Sequence, residues 1–201
     1  MGPSLGCRDS MALRSGKMLA SPIVFMLNTS VLSKAPHQAQ SPGFSTPEFR
    51  ASLAMFATGV TIVTARGANG ELIGLTANSF NSVSLQPPLV LWSLAHVASS
   101  MAAFSSGTHY AINVLAANQQ DLAERFASKR GDRWEGVAFT DGMAGAPLLL
   151  GAAACFECFN RSQYQEGDHV IFVGEVEHCS HTEGAAPLLY HGGRFYTEHA
   201  L

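Results

Sequence analysis

The sequence predicts a mainly β fold with a few short helices, arranged as an antiparallel barrel. Three observations carry that prediction. Short β-branched and apolar runs recur along residues 44–201, and most are joined by brief turns rich in Gly, Asn and Asp. The helical segments between them are few and short. The regular strand–helix–strand alternation of a doubly wound nucleotide fold is missing.

The elements follow in order from Phe44. Ser45-Thr46-Pro47-Glu48 opens a helix: Ser45 or Thr46 can cap it, Pro47 suits a first turn, and Glu48 favours the positive dipole end. Phe49, Leu53, Phe56 and Ala57 then recur at helical spacing and predict one buried face, with Gly59 as the stop. Val60–Thr64 (VTIVT) is a β-branched strand, and Gly67-Ala68-Asn69-Gly70 is a hairpin turn leading into a second strand, Leu72–Thr76. Leu89–Leu94 (LVLWSL) follows Pro87-Pro88 and reads as a core strand, since proline belongs where a strand begins. Ser99–Phe104 predicts a short capped helix and His109–Leu115 another strand. A helix is expected over Asn118–Ala127, with Asn118 as N-cap, Leu122 and Phe126 on one face, and Gly131 closing its basic end. Two long β runs, Ala152–Tyr164 and His169–His178, flank the turn at 165–168. A last pair, Leu188–Tyr190 and Arg194–Thr197, flanks Gly192-Gly193.

Composition narrows the function classes. The 201 residues are 47% apolar and only 13% charged, against roughly 25% charged in an average domain. The formal charge of −3 removes strongly basic nucleic-acid binders and acidic disordered tails from the leading readings, so no nucleic-acid partner is expected. That charge is uneven. Residues 1–43 carry Arg8, Arg14, Lys17 and Lys34 against Asp9, whereas the remainder is acidic. The chain therefore divides into an N-terminal extension, 1–43, expected to be flexible, and one domain, 44–201. The oily run Met18–Leu27 after those basic residues has the look of a secretory signal. Pro22, Asn28 and the want of a clean small-x-small site favour a plain extension instead. No stretch reaches the ~18–20 apolar residues that span a bilayer, so no membrane partner is expected.

Four groups of residues could carry chemistry. Gly74–Ser82 (GLTANSFNS) places Thr76, Asn78, Ser79, Asn81 and Ser82 at a strand end. It is either an ordinary Ser/Asn turn or a set of neutral donors for a phosphate or a heteroaromatic edge. Ser93 with Ser99-Ser100 offers hydroxyls near a helix start, suited equally to capping or to an anion. In Gly167-Asp168-His169 the histidine opens a strand beside an acid, as an exposed turn residue or as an imidazole over a concave face. Cys155 and Cys158 form a CxxC within a β-type run. Residues three apart in a strand point to opposite faces, so no metal site is expected; buried free thiols in a reducing compartment are, which places the protein in the cytoplasm. There is no GxGxxG after a strand, no GxxxxGK[ST], no GxSxG and no HExxH. A hydrolase reading thus lacks a nucleophile with an identifiable base.

Together these segments resemble the flavin reductase-like family, the reductase components of two-component flavin monooxygenases. The matching pieces are Phe49–Thr64 (FRASLAMFATGVTIVT), Gly74–Leu94 (GLTANSFNSVSLQPPLVLWSL), Tyr110–Ala127 (YAINVLAANQQDLAERFA), Gly167–Glu177 (GDHVIFVGEVE) and Pro187–Tyr196 (PLLYHGGRFY), in the family's order. The resemblance implies an FMN-binding split β-barrel, homodimeric, that transfers hydride from NADH or NADPH to FMN or FAD. Reduced flavin would then diffuse to a partner monooxygenase. It also implies roles: Thr76, Ala77, Asn78 and Ser79 at the flavin ring and ribityl chain, and Ser93, Ser99, Ser100 and Phe104 around the phosphate. Asn113 falls in the matching strand. His169 would meet nicotinamide and flavin as the catalytic residue, with Tyr190 and His191 holding the pyridine nucleotide. Related sequences often carry Arg-Gly after the final aromatic strand. Here Gly192-Gly193-Arg194 stands instead, which leaves Arg194 in doubt as a dinucleotide phosphate contact. The same fold also supports an FMN-binding electron carrier or interaction module, and an FMN-dependent amine oxidase.

Overall fold

The computed structural model describes residues 42–199. The N-terminal extension, with its oily run and Cys7, lies outside the described residues except for Pro42 and Gly43. Helix α1 (Thr46–Leu53) starts where the capping signal places it. The Glu48 amide donates to Ser45 Oγ at 3.4 Å while the Ser45 amide donates to Glu48 Oε2 at 2.7 Å, a reciprocal capping box. Its predicted buried face is not covered by any of the described residues. Phe49, Leu53, Phe56 and Ala57 are all exposed, Phe56 to 75%. The helix also ends before Gly59, which instead lies in β1 (Thr58–Gly59).

The strands that follow are β2 (Thr61–Arg66), β3 (Leu72–Ala77), β4 (Asn81–Leu85) and β5 (Pro88–Ala95). After α2 (Met101–Ser106) comes β6 (His109–Val114). A 3₁₀ turn over Ala117–Gln119 then runs into α3 (Gln120–Ala127). Asn118 is therefore inside the 3₁₀ turn rather than capping a helix. Gln119 does the local work: its Oε1 accepts from the Ala116 amide at 3.1 Å and its Nε2 donates to the Leu150 carbonyl at 2.9 Å. Next come β7 (Phe139–Asp141), β8 (Pro147–Leu149), β9 (Ala154–Glu166), β10 (His169–His181), β11 (Leu189–His191) and β12 (Arg194–Tyr196).

Seven strands form one antiparallel sheet in the order β3-β2-β6-β9-β10-β5-β4, and β1-β11-β12 form a smaller one. The larger sheet is not closed: β3 and β4 are its two edges and do not pair. Yet only Asn78, Ser79 and Phe80 separate them in sequence. At ~3.5 Å per residue, Ala77 and Asn81 lie at most ~14 Å apart, so the sheet must curl until its edges face across a seam. Strand periodicity sets what lies on each side. Along β5 and β10, Val90, Trp92, Leu94, Val170 and Phe172 are buried, while Leu91, Ser93, His169 and Ile171 occupy the opposite, half-buried face.

The inner core centres on Trp92, stacked on Phe172 (centroids 4.9 Å, 16° between planes) and met edge-on by Phe104 and Tyr110. A second cluster joins Val60, Ile62, Leu115, Phe126, Leu149 and Leu188 beneath α3 and β11. Gly74 lets α3 approach β3: a Cβ there would lie 2.5 Å from the Phe126 ring. Cys158 belongs to the Trp92 core, whereas Cys155 faces the other way and donates from Sγ to Asn113 Oδ1 at 3.3 Å. Among the described residues no helix is long and apolar enough to cross a membrane.

Candidate functional site

The open seam supplies the site. Strand edges carry unpaired backbone donors and acceptors, and here a three-residue link, Asn78-Ser79-Phe80, joins those edges and carries two polar side chains. Asn78 lines two adjoining cavities, of about 530 and 550 Å³. The first lies between the end of β3, α3 and the β11–β12 hairpin, where Thr76, Ala123, Tyr190 and Phe195 form its walls. The second lies between α1 and the Asn78–Asn81 link, with Ser79 and Phe80 on one side and Arg50 and Phe56 on the other. Asn78, Tyr190 and Gly193 are common to both. The pair makes one bent, mainly apolar cleft with a few convergent polar groups, the form that heteroaromatic ligands occupy.

Each polar wall residue is held by its element. Thr76 Oγ1 donates to the Ala123 carbonyl at 2.6 Å, tying β3 to α3. Ser79 bridges the seam: the Ser93 amide donates to Ser79 Oγ at 3.0 Å, and the hydroxyl returns to the Ser93 carbonyl at 3.3 Å. A third cavity of about 310 Å³ sits at the other end of β3, where Gly74, Ser99 and Ser100 meet Lys129, Arg133 and Trp134. Ser100 makes no side-chain capping bond on α2, so its hydroxyl is not spent as a cap. Asp132 also lines this pocket, its carboxylate accepting from the Trp134 amide at 2.9 Å, and Arg133 Nη1 donates to the Gly74 carbonyl at 3.1 Å. Two cations and two hydroxyls against one acid leave a net positive pocket that suits a phosphate. Gly74 and Asn78 are four strand steps apart, ~14 Å along the sheet, so the cationic pocket and the ring-sized cleft lie at the two ends of β3.

His169 opens β10 opposite Ala95, two residues beyond Ser93 on the same face of the sheet. Its Nδ1 lies 2.6 Å from Asp168 Oδ1. The bond from His169, then its charge and that of His96, hold the exposed Asp168 carboxyl below its usual range. The Asp168 carbonyl also accepts from the His96 amide at 3.0 Å, fixing the turn against the end of β5.

The structure thus gathers Thr76, Asn78, Ser79 and Tyr190 in one cleft, Ser93 against Ser79, and Ser99 with Ser100 in the cationic pocket. His191 stands on the hairpin arm with its ring 6.2 Å from Tyr196. Ala77 is buried against the Trp92 core. None of Ala77, Ser93, His169 and His191 lines the cleft or the cationic pocket, and two further residues are buried away from both. Phe104 is 1% exposed, with its ring packed on Trp92, and lines neither the cleft nor the cationic pocket. Asn113 is fully buried and spent on structure: Nδ2 donates to the Ile62 carbonyl at 3.1 Å, and Oδ1 accepts from the Leu149 amide at 2.8 Å. Arg50, Lys129, Arg133 and Trp134 are wall residues that sequence reasoning missed. The basic cluster after α3 was visible as such, but as dipole compensation it gave no hint of a pocket.

A curled antiparallel sheet with an apolar, ring-sized cleft at its seam and a cationic pocket beside it defines a β-class binder of phosphorylated heteroaromatic ligands. The chain belongs to the flavin reductase like domain family, whose model matches residues 53–199. It is 45% identical over 153 residues to the FMN reductase (NADH) of Agrobacterium fabrum, covering 76% of this chain and 86% of that one. It is also 39% identical over 150 residues to the reductase component of the flavin-dependent trigonelline monooxygenase of Acinetobacter baylyi, 75% of this chain but 48% of that longer protein. Among solved structures, the NADH:FAD oxidoreductase of Streptomyces globisporus, in complex with NAD and FAD fragments, superposes with a TM-score of 0.71 at 40% identity. That match covers 75% of this chain and 90% of the other.

Proposed function

We propose that this protein is an NADH-dependent flavin reductase that supplies reduced FMN or FAD to a separate monooxygenase. The observation that carries the reading is the seam cleft, where the flavin-assigned Asn78 and Ser79 and the nicotinamide-assigned Tyr190 share one set of walls. The residues present fit a flavin. The apolar cleft accepts a ring system, the Asn78–Ser79 link offers polar groups at its edge, and Lys129 and Arg133 with Ser99 and Ser100 offer charge for its phosphate. Bound flavin supplies a two-electron acceptor and reduced nicotinamide the hydride, so no protein nucleophile is required. The chain's own residues orient and shield. Tyr190 and Phe195, with centroids 5.3 Å apart, form an aromatic wall that keeps water from stacked rings. His169, oriented by Asp168, stands opposite Ala95 at the strand end and would contact the nicotinamide there.

In this reading the curled sheet is a split barrel and the molecule a homodimer. Support for the dimer is the uncovered apolar surface on α1, where Phe49, Leu53, Met55 and Phe56 are exposed, with the half-buried outer face of β5 and β10 as a second candidate. Cytoplasmic placement follows from the supply of reduced nicotinamide there, and residues 1–43 form an extension to the 44–201 domain. The test is direct. Purified protein is mixed with NADH or NADPH and excess FMN, FAD or riboflavin, and nicotinamide absorbance is followed. Multiple turnovers are expected with NADH; a folded, flavin-binding protein that oxidises neither donor is an electron carrier instead.

A further inference from the structure

A pyridine dinucleotide brings two phosphates into whatever cavity receives it, and an anion in a mainly apolar cleft needs a cation nearby. Arg194, at the start of β12, lines neither half of the seam cleft. The charged residues that do line it are Glu124 in the first half and Arg50 in the second. Arg50 makes no ion pair or side-chain hydrogen bond among the described residues, which leaves its five donors free for a ligand.

Its position is fixed from two sides. The Ala54 amide donates to the Arg50 carbonyl at 2.9 Å, closing the last turn of α1. The Ala54 carbonyl in turn accepts from the Gly192 amide at 2.9 Å, docking the end of α1 onto the β11–β12 turn. That turn needs positive φ at both Gly192 (56°) and Gly193 (80°), and Gly193 with Tyr190 forms the wall facing Arg50. The same cavity also contains Thr58, whose Oγ1 is buried in the wall without a hydrogen-bond partner among the described residues. The second half of the cleft therefore has a free guanidinium, an unspent hydroxyl and an aromatic wall.

We infer that Arg50 binds the pyrophosphate of the pyridine dinucleotide and is the residue that makes a dinucleotide a better donor than its phosphate-free fragment. This rests on the reductase reading above. The flavin phosphate is the other anion at hand. It already has Lys129 and Arg133 at the far end of β3, so Arg50 serves the second ligand.

The experiment uses the full chain and three hydride donors: NADH, reduced nicotinamide mononucleotide and reduced nicotinamide riboside, with FMN or riboflavin as acceptor. Arg50→Gln is expected to raise the KM for NADH about tenfold or more, the scale of one charge-assisted contact. The KM for the riboside should move less than about twofold on the same scale, and the mononucleotide should fall between. Arg50→Lys should recover part of the NADH affinity, and the preference for FMN over riboflavin should be unchanged in both variants. An equal rise for NADH and the riboside would overturn the inference by showing a structural role. Loss of the FMN preference would overturn it by assigning Arg50 to the flavin phosphate. Wild-type protein that oxidises none of the three donors fails earlier, at the reductase reading, and takes this assignment with it.

Discussion

Asn113 and Cys155 show how one residue can satisfy a sequence pattern and do something else. Asn113 lies in a strand that matches the family, yet its side chain is a buried clip joining β2, β6 and β8. Asn113→Ala would strand the Leu149 amide without its acceptor, at a cost of about 1–3 kcal/mol in a denaturant titration, while the KM for flavin stays unchanged. A large rise in that KM at unchanged stability would return Asn113 to the site. Burial likewise governs the thiols: it pushes Cys155 up to about 11 and Cys158 up to about 12. Nearby Glu157, and for Cys158 also Glu177, add to the shift. A raised thiol pKa means that the unfolded chain releases protons the folded one keeps. Stability conferred by these groups is therefore present below the ordinary value of 9.0 and falls as pH rises from there towards 11 and 12. A thiol reagent at neutral pH should modify exposed Cys179 in the native protein and reach Cys155 and Cys158 only on unfolding. Equal rates for all three would contradict that burial.

Elements were legible wherever local chemistry decides them. The capping box at Ser45 and Glu48, the Gly67–Gly70 turn and the Gly192-Gly193 hairpin each rest on a few adjacent residues, and each stands where its residues place it. Short β4, β7 and β8 were not legible, because their apolar alternation is brief and their stability comes from pairing with distant strands. The error at α1 is of another kind. Its 3.6-residue apolar pattern is real, but nothing among the described residues covers it. The outer sheet face at Ile171 poses the same question. Phe49→Ser combined with Ile171→Lys should convert a dimer to a monomer in sedimentation velocity while leaving a cooperative thermal transition. Persistence of the dimer would show that neither surface forms the interface.

At the scale of the whole molecule, topology explains why the site lies where it does. Consecutive strands β3 and β4 occupy opposite edges of a seven-stranded sheet, so their three-residue link must cross the seam that the curled sheet leaves open. Polar Asn78 and Ser79 sit on that link. Sequence composition could flag the polar cluster but not the crossing, which depends on the order of all seven strands. The family pattern named Thr76, Asn78, Ser79 and Tyr190 of the cleft wall, whereas the cations around it came only from packing: Arg50 through the docking of α1, Lys129 and Arg133 through the turn after α3. An oily, weakly charged chain becomes intelligible as one that surrounds stacked rings, and the proposed dimer would cover part of its surface. The most direct test of this account is the steady-state oxidation of NADH by the purified full-length chain with excess FMN or FAD. Many turnovers per protein, accelerated by added flavin, are the predicted result. Flavin binding without any nicotinamide oxidation would contradict it.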